Sequence, residues 1–256
     1  MEEIVELSFF RFLLVYLLLL IVLAVMKKNG ASQTKLLVVA GVRMTFQLVL
    51  AGFVLTYIFG SPSPIFTAVY LIGMFSFAIY HILSKNKQLN PRFKAAIVLS
   101  FIGTGFALVF FFVVIVVNVS LFDPQYTIPL SGMILGNAMT GVTLALKTFT
   151  QSVETQRNKI RALLNLGVSP QNILKPVINN AFETAMLPTL NTMIGMGIIF
   201  LPGMMTGQIL SGTLPMTAIL YQIAIMITIC TVVCLASFLA LYFGSKTLYN
   251  SKNQFV

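Results

Sequence analysis

Four methionines are the side chains of this sequence best suited to hold a soft metal ion. Met133 and Met139 lie in one apolar run, and Met204 and Met205 directly follow another. Thioether sulfur suits Cu(I) better than Fe(II), whose usual ligands are imidazole and carboxylate. Methionine is also an ordinary filler of hydrophobic cores. The residue types therefore leave metal binding and packing both open, and they do not by themselves favour iron.

The single histidine and the two cysteines form no recognisable metal site. His81 stands beside basic residues at the end of an apolar run, which favours a solvated side chain over a ligand. Cys230 and Cys234 are four residues apart inside an apolar run. Two thiols alone make a poor metal site, so we interpret them as small packing residues, and any metal ligands stay unknown.

Polar side chains within the apolar runs are candidates for a path that a solute follows, because such groups usually face protein or water. Arg43 and Gln47 are one helical turn apart. Arg43 either extends to lipid headgroups or pairs with an acid such as Glu183. With the methionines, the candidate path residues are Arg43, Gln47, Met133, Asn137, Met139, Glu183, Asn191, Met204, Met205 and Gln208.

Small residues at four-residue spacing follow one face of the run that holds Met133. Ser131, Gly132, Gly136 and Thr140 nearly share this face. Small residues let helices approach closely in membranes. We predict a helix-packing face here, formed with another helix of the chain or with a second copy.

The composition indicates that these residues are positioned by membrane-spanning helices. Hydrophobic residues make up 58% of the 256, and charged residues 9%, against about 45–50% and about 25% in soluble domains. No segment is long and polar enough for a soluble catalytic domain, which argues against an enzyme. A spanning helix needs about 20 apolar residues. Seven segments qualify: 8–26, 36–59, 65–83, 95–117, 127–147, 181–201 and 215–243.

The basic residues indicate how these helices are oriented. All but two of the 16 lysines and arginines, Arg11 and Arg43, fall in alternate connections and in the C-terminal tail. The intervening connections, about 60–64, 118–126 and 202–214, contain none. Lys and Arg accumulate on the cytoplasmic side of membrane proteins. We predict an all-α polytopic protein of the cell membrane, with an outside N-terminus and a cytoplasmic C-terminus. The net charge of +10 then reflects topology, and no nucleic-acid partner is expected.

One connection, 148–180, is long, and we expect the fifth helix to extend into it. Ile160, Leu163 and Leu164 form an apolar strip at helical spacing, and Gly167 is a natural helix stop. Ser169 as N-cap and Pro170 in the first turn begin another helix, which Pro176 is predicted to bend or end. This helix–glycine–helix loop is a structural loop, an amphipathic surface helix or a docking surface for a soluble partner.

Several motifs carry a resemblance to a known family. Arg161–Pro170 is similar to the coupling motif of ABC permeases. Leu201–Gly212, Ser131–Met139, Tyr221–Ile223 and the pair Arg43 and Gln47 resemble the FetB/YbbM-type permease family, which includes a bacterial iron-export permease and plant proteins linked to aluminium tolerance. The resemblance runs from about Lys35 to Phe255.

The resemblance implies one permease domain over 1–256, working as a homodimer with two separate ABC ATPase subunits. ATP and Mg²⁺ would be bound by the ATPase and no cofactor by this chain, whose Gly244–Lys246 lacks phosphate-loop spacing. Iron export is implied, and the alternatives are a nucleotide sugar or other small solute, or an ATP-independent transporter or channel. The implied coupling residues are Ile160, Arg161, Leu163, Leu164, Leu166, Gly167, Ser169, Pro170 and Ile173.

Two positions depart from the family pattern. Family members carry an acid and a lysine after Leu187 and Pro188, where this sequence has Asn191 and Ile194. The glycines and prolines of Pro202–Gly212 are expected to shape the outer end of the path, since broken helices occur where they line a cavity.

Overall fold

The computed structural model describes residues 8–30, 33–61 and 63–249, and this part of the chain is almost wholly helical. The chain divides into two compact units, Met1–Pro62 and Ser63–Val256, which are described separately. The single permease domain over 1–256 stays a prediction.

The first unit contains two long apolar helices, α1 (Phe9–Lys28) and α2 (Thr34–Gly60). The hydroxyls of Tyr16 and Thr45 lie 2.6 Å apart and join the two helices. Most of their leucine, valine and phenylalanine side chains are exposed. Such surfaces are stable against lipid or protein but costly in water.

The second unit contains seven helices within its described residues. They are α3 (Pro64–Lys85), α4 (Pro91–Phe110), α5 (Pro124–Thr155), α6 (Arg157–Asn165), α7 (Pro170–Gly195), α8 (Gly203–Leu210) and α9 (Pro215–Ser245). Five of them begin with proline, which suits a first turn because its missing N–H has no partner there anyway. Side chains of Asn90 and Asp123 cap α4 and α5. A π-helical turn, Phe111–Val116, continues α4.

The core of this unit lies where α5 and α9 pack together, with α3, α4 and α7 around them. Gly141 on α5 faces Val233, and Gly244 on α9 faces the ring of Phe93. A Cβ added at Gly141 would lie 2.6 Å from Cγ1 of Val233. The rings of Phe93 and Phe149 are 5.9 Å apart. The absent side chains thus permit the close approach of these helices.

Six described helices are long and apolar enough to cross a membrane: α1, α2, α3, α5, and α4 and α9 with their terminal turns. They match six of the seven predicted segments, and α5 extends past its segment to Thr155, as expected. The predicted 181–201 helix instead begins at Pro170 and ends at Gly195. The protein is an all-α polytopic membrane protein; the count of seven and the orientation stay predictions.

The two differences around α7 have local causes. Beyond Gly195 the chain forms a tight turn, in which Gly197 has a φ of +82° and its N–H donates to the Phe200 carbonyl at 3.0 Å. Pro176 lies inside α7, so of the predicted bend or end of the helix the structure excludes the end. Packing of Leu174 and Val177, both buried, helps to stabilise the helix across the lost hydrogen bond.

Candidate functional site

The connection between α6 and α7 is an ordered elbow, 166–169. Gly167 has a φ of +81°, in the left-handed region that glycine enters at little cost. The N–H of Gly167 donates to the Leu164 carbonyl at 2.9 Å, and that of Val168 to the Leu163 carbonyl at 3.1 Å. This pair of bonds is a Schellman motif. The predicted helix–glycine–helix arrangement is confirmed.

Buried apolar residues attach both helices of the elbow to the second unit. Ile160 on α6 is 5% exposed, and Ile173 and Leu174 on α7 are buried with the ring of Pro170. Leu163 and Leu164 are half-buried. Ser169 occupies the N-cap position of α7, but its side chain makes no capping hydrogen bond, which corrects that detail of the prediction. The elbow is therefore held by hydrophobic contacts on its inner side.

The outer side of the elbow is open. Leu166 is 78% exposed, and Arg161, Gly167 and Ser169 are exposed as well. Leu166 is thus a large apolar side chain at the exposed tip of a connection whose other exposed residues include polar and basic ones. All nine predicted coupling residues thus lie on one helical connection, with a buried anchor and an exposed tip.

A cavity of about 1130 Å³ lies beside α6, and we name it the basic cavity. Its wall is formed by the end of α3, the last turns of α5, and α6. Four cations line it: Lys85, Lys147, Arg157 and Arg161. Glu154 is the one carboxylate in the lining, which also includes Ile160 and Leu164. Only Arg161 and the two apolar residues among these were predicted, because the others come together only in the fold.

The candidate methionines are packing residues in the structure. Met133, Met139 and Met204 are partly buried against the core cluster, and Met205 is buried. Among the described residues, no group of three or more histidine, cysteine, aspartate or glutamate side chains could hold a metal ion. The burial of the methionines fits the packing interpretation, and their binding of a metal ion stays a prediction.

The remaining candidate path residues lie in both units. Arg43 and Gln47 are exposed on α2, in the first unit, and Glu183 and Asn191 are exposed on α7, in the second. The predicted pairing of Arg43 with Glu183 stays a prediction. Asn137 is exposed, and its amide donates to the Met133 carbonyl at 2.8 Å.

Some polar oxygens are buried without a hydrogen-bond partner among the described residues. They belong to Gln208 on α8, Gln222 and Ser237 on α9, and Ser131 on α5. Gln208 was a candidate path residue. Gln222 and Ser237 were missed, although a polar residue within the long apolar run of α9 is itself a signal.

The predicted small-residue face divides in the structure. A Cβ added at Gly132 would contact Met74 of α3 at 3.3 Å, whereas one at Gly136 would meet nothing within 4 Å. Thr140 is exposed, and its hydroxyl donates to the Gly136 carbonyl at 3.0 Å. Packing of this face against a second copy stays a prediction.

The long apolar helices and the lipid-compatible surface define a multi-pass membrane protein. The chain matches the family described as "Uncharacterised protein family (UPF0014)" over residues 9–249. It belongs to this family.

Relatives agree with the assignment. "Probable iron export permease protein FetB" of Escherichia coli K12 is 30% identical over 243 residues, covering 93% of this chain and 92% of the relative. "UPF0014 membrane protein YjkA" of Bacillus subtilis is 29% identical over 219 residues, 84% of this chain and 85% of the relative. "Protein ALUMINUM SENSITIVE 3" of Arabidopsis thaliana is 33% identical over 185 residues, 72% and 66%. No solved structure matches the chain. The family is thus one of membrane proteins that includes a permease.

Proposed function

We propose that this chain is the permease subunit of an ABC transporter, assembled as a homodimer with two copies of a separate ATPase. The observation that carries the proposal is the elbow. Its inner residues bury against α5 and α7, and its tip presents Leu166 outward. An ATPase that binds the tip and moves on ATP binding would shift α6 and α7 together, because the elbow is closed by its own hydrogen bonds.

The proposed substrate is iron, moved out of the cell. Support comes from the name of the Escherichia coli relative, a probable iron export permease. The side chains of this chain offer thioethers in packing positions and scattered polar groups.

The test is to reconstitute the chain in liposomes with its ATPase and to measure ATP hydrolysis and Fe(II) movement together. Leu166→Ser should lower ATPase stimulation severalfold, because it removes the exposed apolar contact at the elbow. Leu210→Ser is the matched control, since Leu210 is also an exposed leucine at the end of a short helix, α8. Equal stimulation by the two variants, or Fe(II) transport without the ATPase, would contradict the proposal.

A further inference from the structure

We propose that the basic cavity is a binding site for phosphate groups. Its lining draws cations from three helices: Lys85 from α3, Lys147 from α5, and Arg157 and Arg161 from α6. Other basic residues near by in sequence, such as Lys159 and Lys175, do not line it. The cavity is therefore lined by only some of the basic residues that lie near it in the sequence.

These four charges have no partner among the residues that the structure describes. Within the described part of the chain, none of the four side chains donates a hydrogen bond or forms an ion pair. Glu154 shares the cavity, but no ion pair to it is formed. Cations gathered in one cavity repel each other, and a bound anion removes this repulsion. The cavity is thus electrostatically complementary to an anion that the described residues do not supply.

The number and geometry of the cations favour phosphate over a single carboxylate. Arg157 and Arg161 are four residues apart on α6, so their side chains are neighbours on one face, about 6 Å apart at Cβ. Guanidinium groups bind phosphate through two parallel hydrogen bonds. A phosphate monoester carries a charge of about −1.5 to −2 at neutral pH. The lining has four cations and one carboxylate, and a phosphate ligand neutralises this excess of positive charge better than a carboxylate ligand would.

The neutral polar groups of the cavity differ in what they can offer a ligand: the side-chain amides of Gln88 and Gln151 line it and are exposed, whereas its threonine hydroxyls are already engaged. The hydroxyls of Thr143 and Thr150 already donate to carbonyls of Met139 and Leu146. Apolar side chains, Leu89, Phe149 and Leu248, complete the wall. The four cations therefore supply the charge that attracts a phosphate group, and the two amides can add hydrogen bonds to it. A volume of about 1130 Å³ admits either a soluble phosphate compound or a phospholipid headgroup.

The experiment uses the full chain without any ATPase, so its outcome is independent of the proposed coupling. In one arm, inorganic pyrophosphate is titrated onto the chain in an uncharged detergent at constant ionic strength, and the rise in melting temperature gives the affinity. In the other arm, native mass spectrometry compares retention of phosphatidylglycerol with that of phosphatidylcholine. Binding of pyrophosphate in the first arm would identify a soluble phosphate compound as the ligand class. Preferential retention of phosphatidylglycerol in the second arm would identify a lipid headgroup.

Variants separate the cavity from overall charge. Arg157→Gln with Arg161→Gln should weaken binding at least about tenfold, since each lost charge-assisted hydrogen bond is worth about that factor. Lys147→Gln, on α5, should weaken phosphate binding severalfold. Because this residue is not on α6, its effect could not be attributed to a folding defect in α6. Lys159→Gln with Lys175→Gln removes the same charge outside the cavity and should change affinity less than twofold. No binding in either arm, or equal losses in the two double variants, would overturn the proposal.

Discussion

Gly136 and Gly141 are five residues apart on α5, and their surroundings differ. Beside Gly141 lie Val233 and the hydroxyl of Ser237, whereas Gly136 has open space where a side chain would begin. Spacing in the sequence shows that both residues are small. It does not show which of them a neighbouring helix approaches, because that depends on the rotation of α9 against α5. The predicted face therefore included Gly136 and missed Gly141.

We predict opposite effects of alanine at these two glycines. Gly141→Ala should destabilise the chain by about 1–3 kcal/mol, because the new methyl group overpacks the contact with Val233. Gly136→Ala should be neutral or stabilising by up to about 1 kcal/mol, since alanine favours helix over glycine. Melting temperatures of the two purified variants in the same detergent check this. Equal shifts would show that α5 and α9 are not in close contact at Gly141.

At the scale of the element, α6 is a helix of nine residues that is too short to be stable alone. It is held by one fully buried side chain, Ile160, and by the half-buried Leu163 and Leu164. Its C-terminal bonds, at the elbow, are local. The stability of α6 thus depends on its contact with the rest of the second unit.

We predict that Ile160→Ala loosens α6 selectively. Loss of a buried isoleucine costs about 2–5 kcal/mol, which exceeds what the remaining contacts of so short a helix provide. Hydrogen–deuterium exchange should rise in 157–166 and stay unchanged in α9. Leu166→Ala is the matched control, because that side chain is exposed and its truncation should leave exchange in α6 unchanged. Uniform acceleration over the second unit would contradict this.

The sequence predicts those parts of α6, the elbow and α7 that depend on signals within a few residues. Helical spacing of Ile160, Leu163 and Leu164, with Gly167 and Pro170, predicts the elbow because each signal acts within a few residues. Hydrogen bonds within 195–200 close the turn after Gly195, and burial of Leu174 and Val177 stabilises α7 across Pro176. The residue types alone do not show either of these. The basic cavity needs three helices at once, so no single stretch of sequence reveals it.

At the scale of the whole molecule, two kinds of surface dominate. Helices such as α1 and α2 expose apolar side chains along their length, as a lipid-facing surface requires. Basic residues gather at one end of α3 and of α5, with α6. The alternation of charge along the sequence predicts this pattern, in which the helices are apolar along their length and the basic residues lie near helix ends.

We predict the orientation from that charge and expect labelling to show it. In a background with Cys230→Ala and Cys234→Ala, Gln125→Cys should react with a membrane-impermeant maleimide on intact cells. Lys87→Cys should react only after permeabilisation, because its connection carries the basic residues. Both side chains are exposed, so burial does not bias the comparison. The reverse pattern would mean that the chain is inverted.

The elbow and α7 together have the proportions of a mechanical lever. With 26 residues, α7 is about 39 Å long, so a rotation of about 4° at the elbow displaces its far end by roughly 3 Å. Pro176 and Pro188 lie within this arm, and each removes a backbone hydrogen bond. They are its most compliant points. If the proposed ATPase rotates the elbow at Leu166, the movement would displace the chain near Gly195, and bending at the two prolines would absorb part of it.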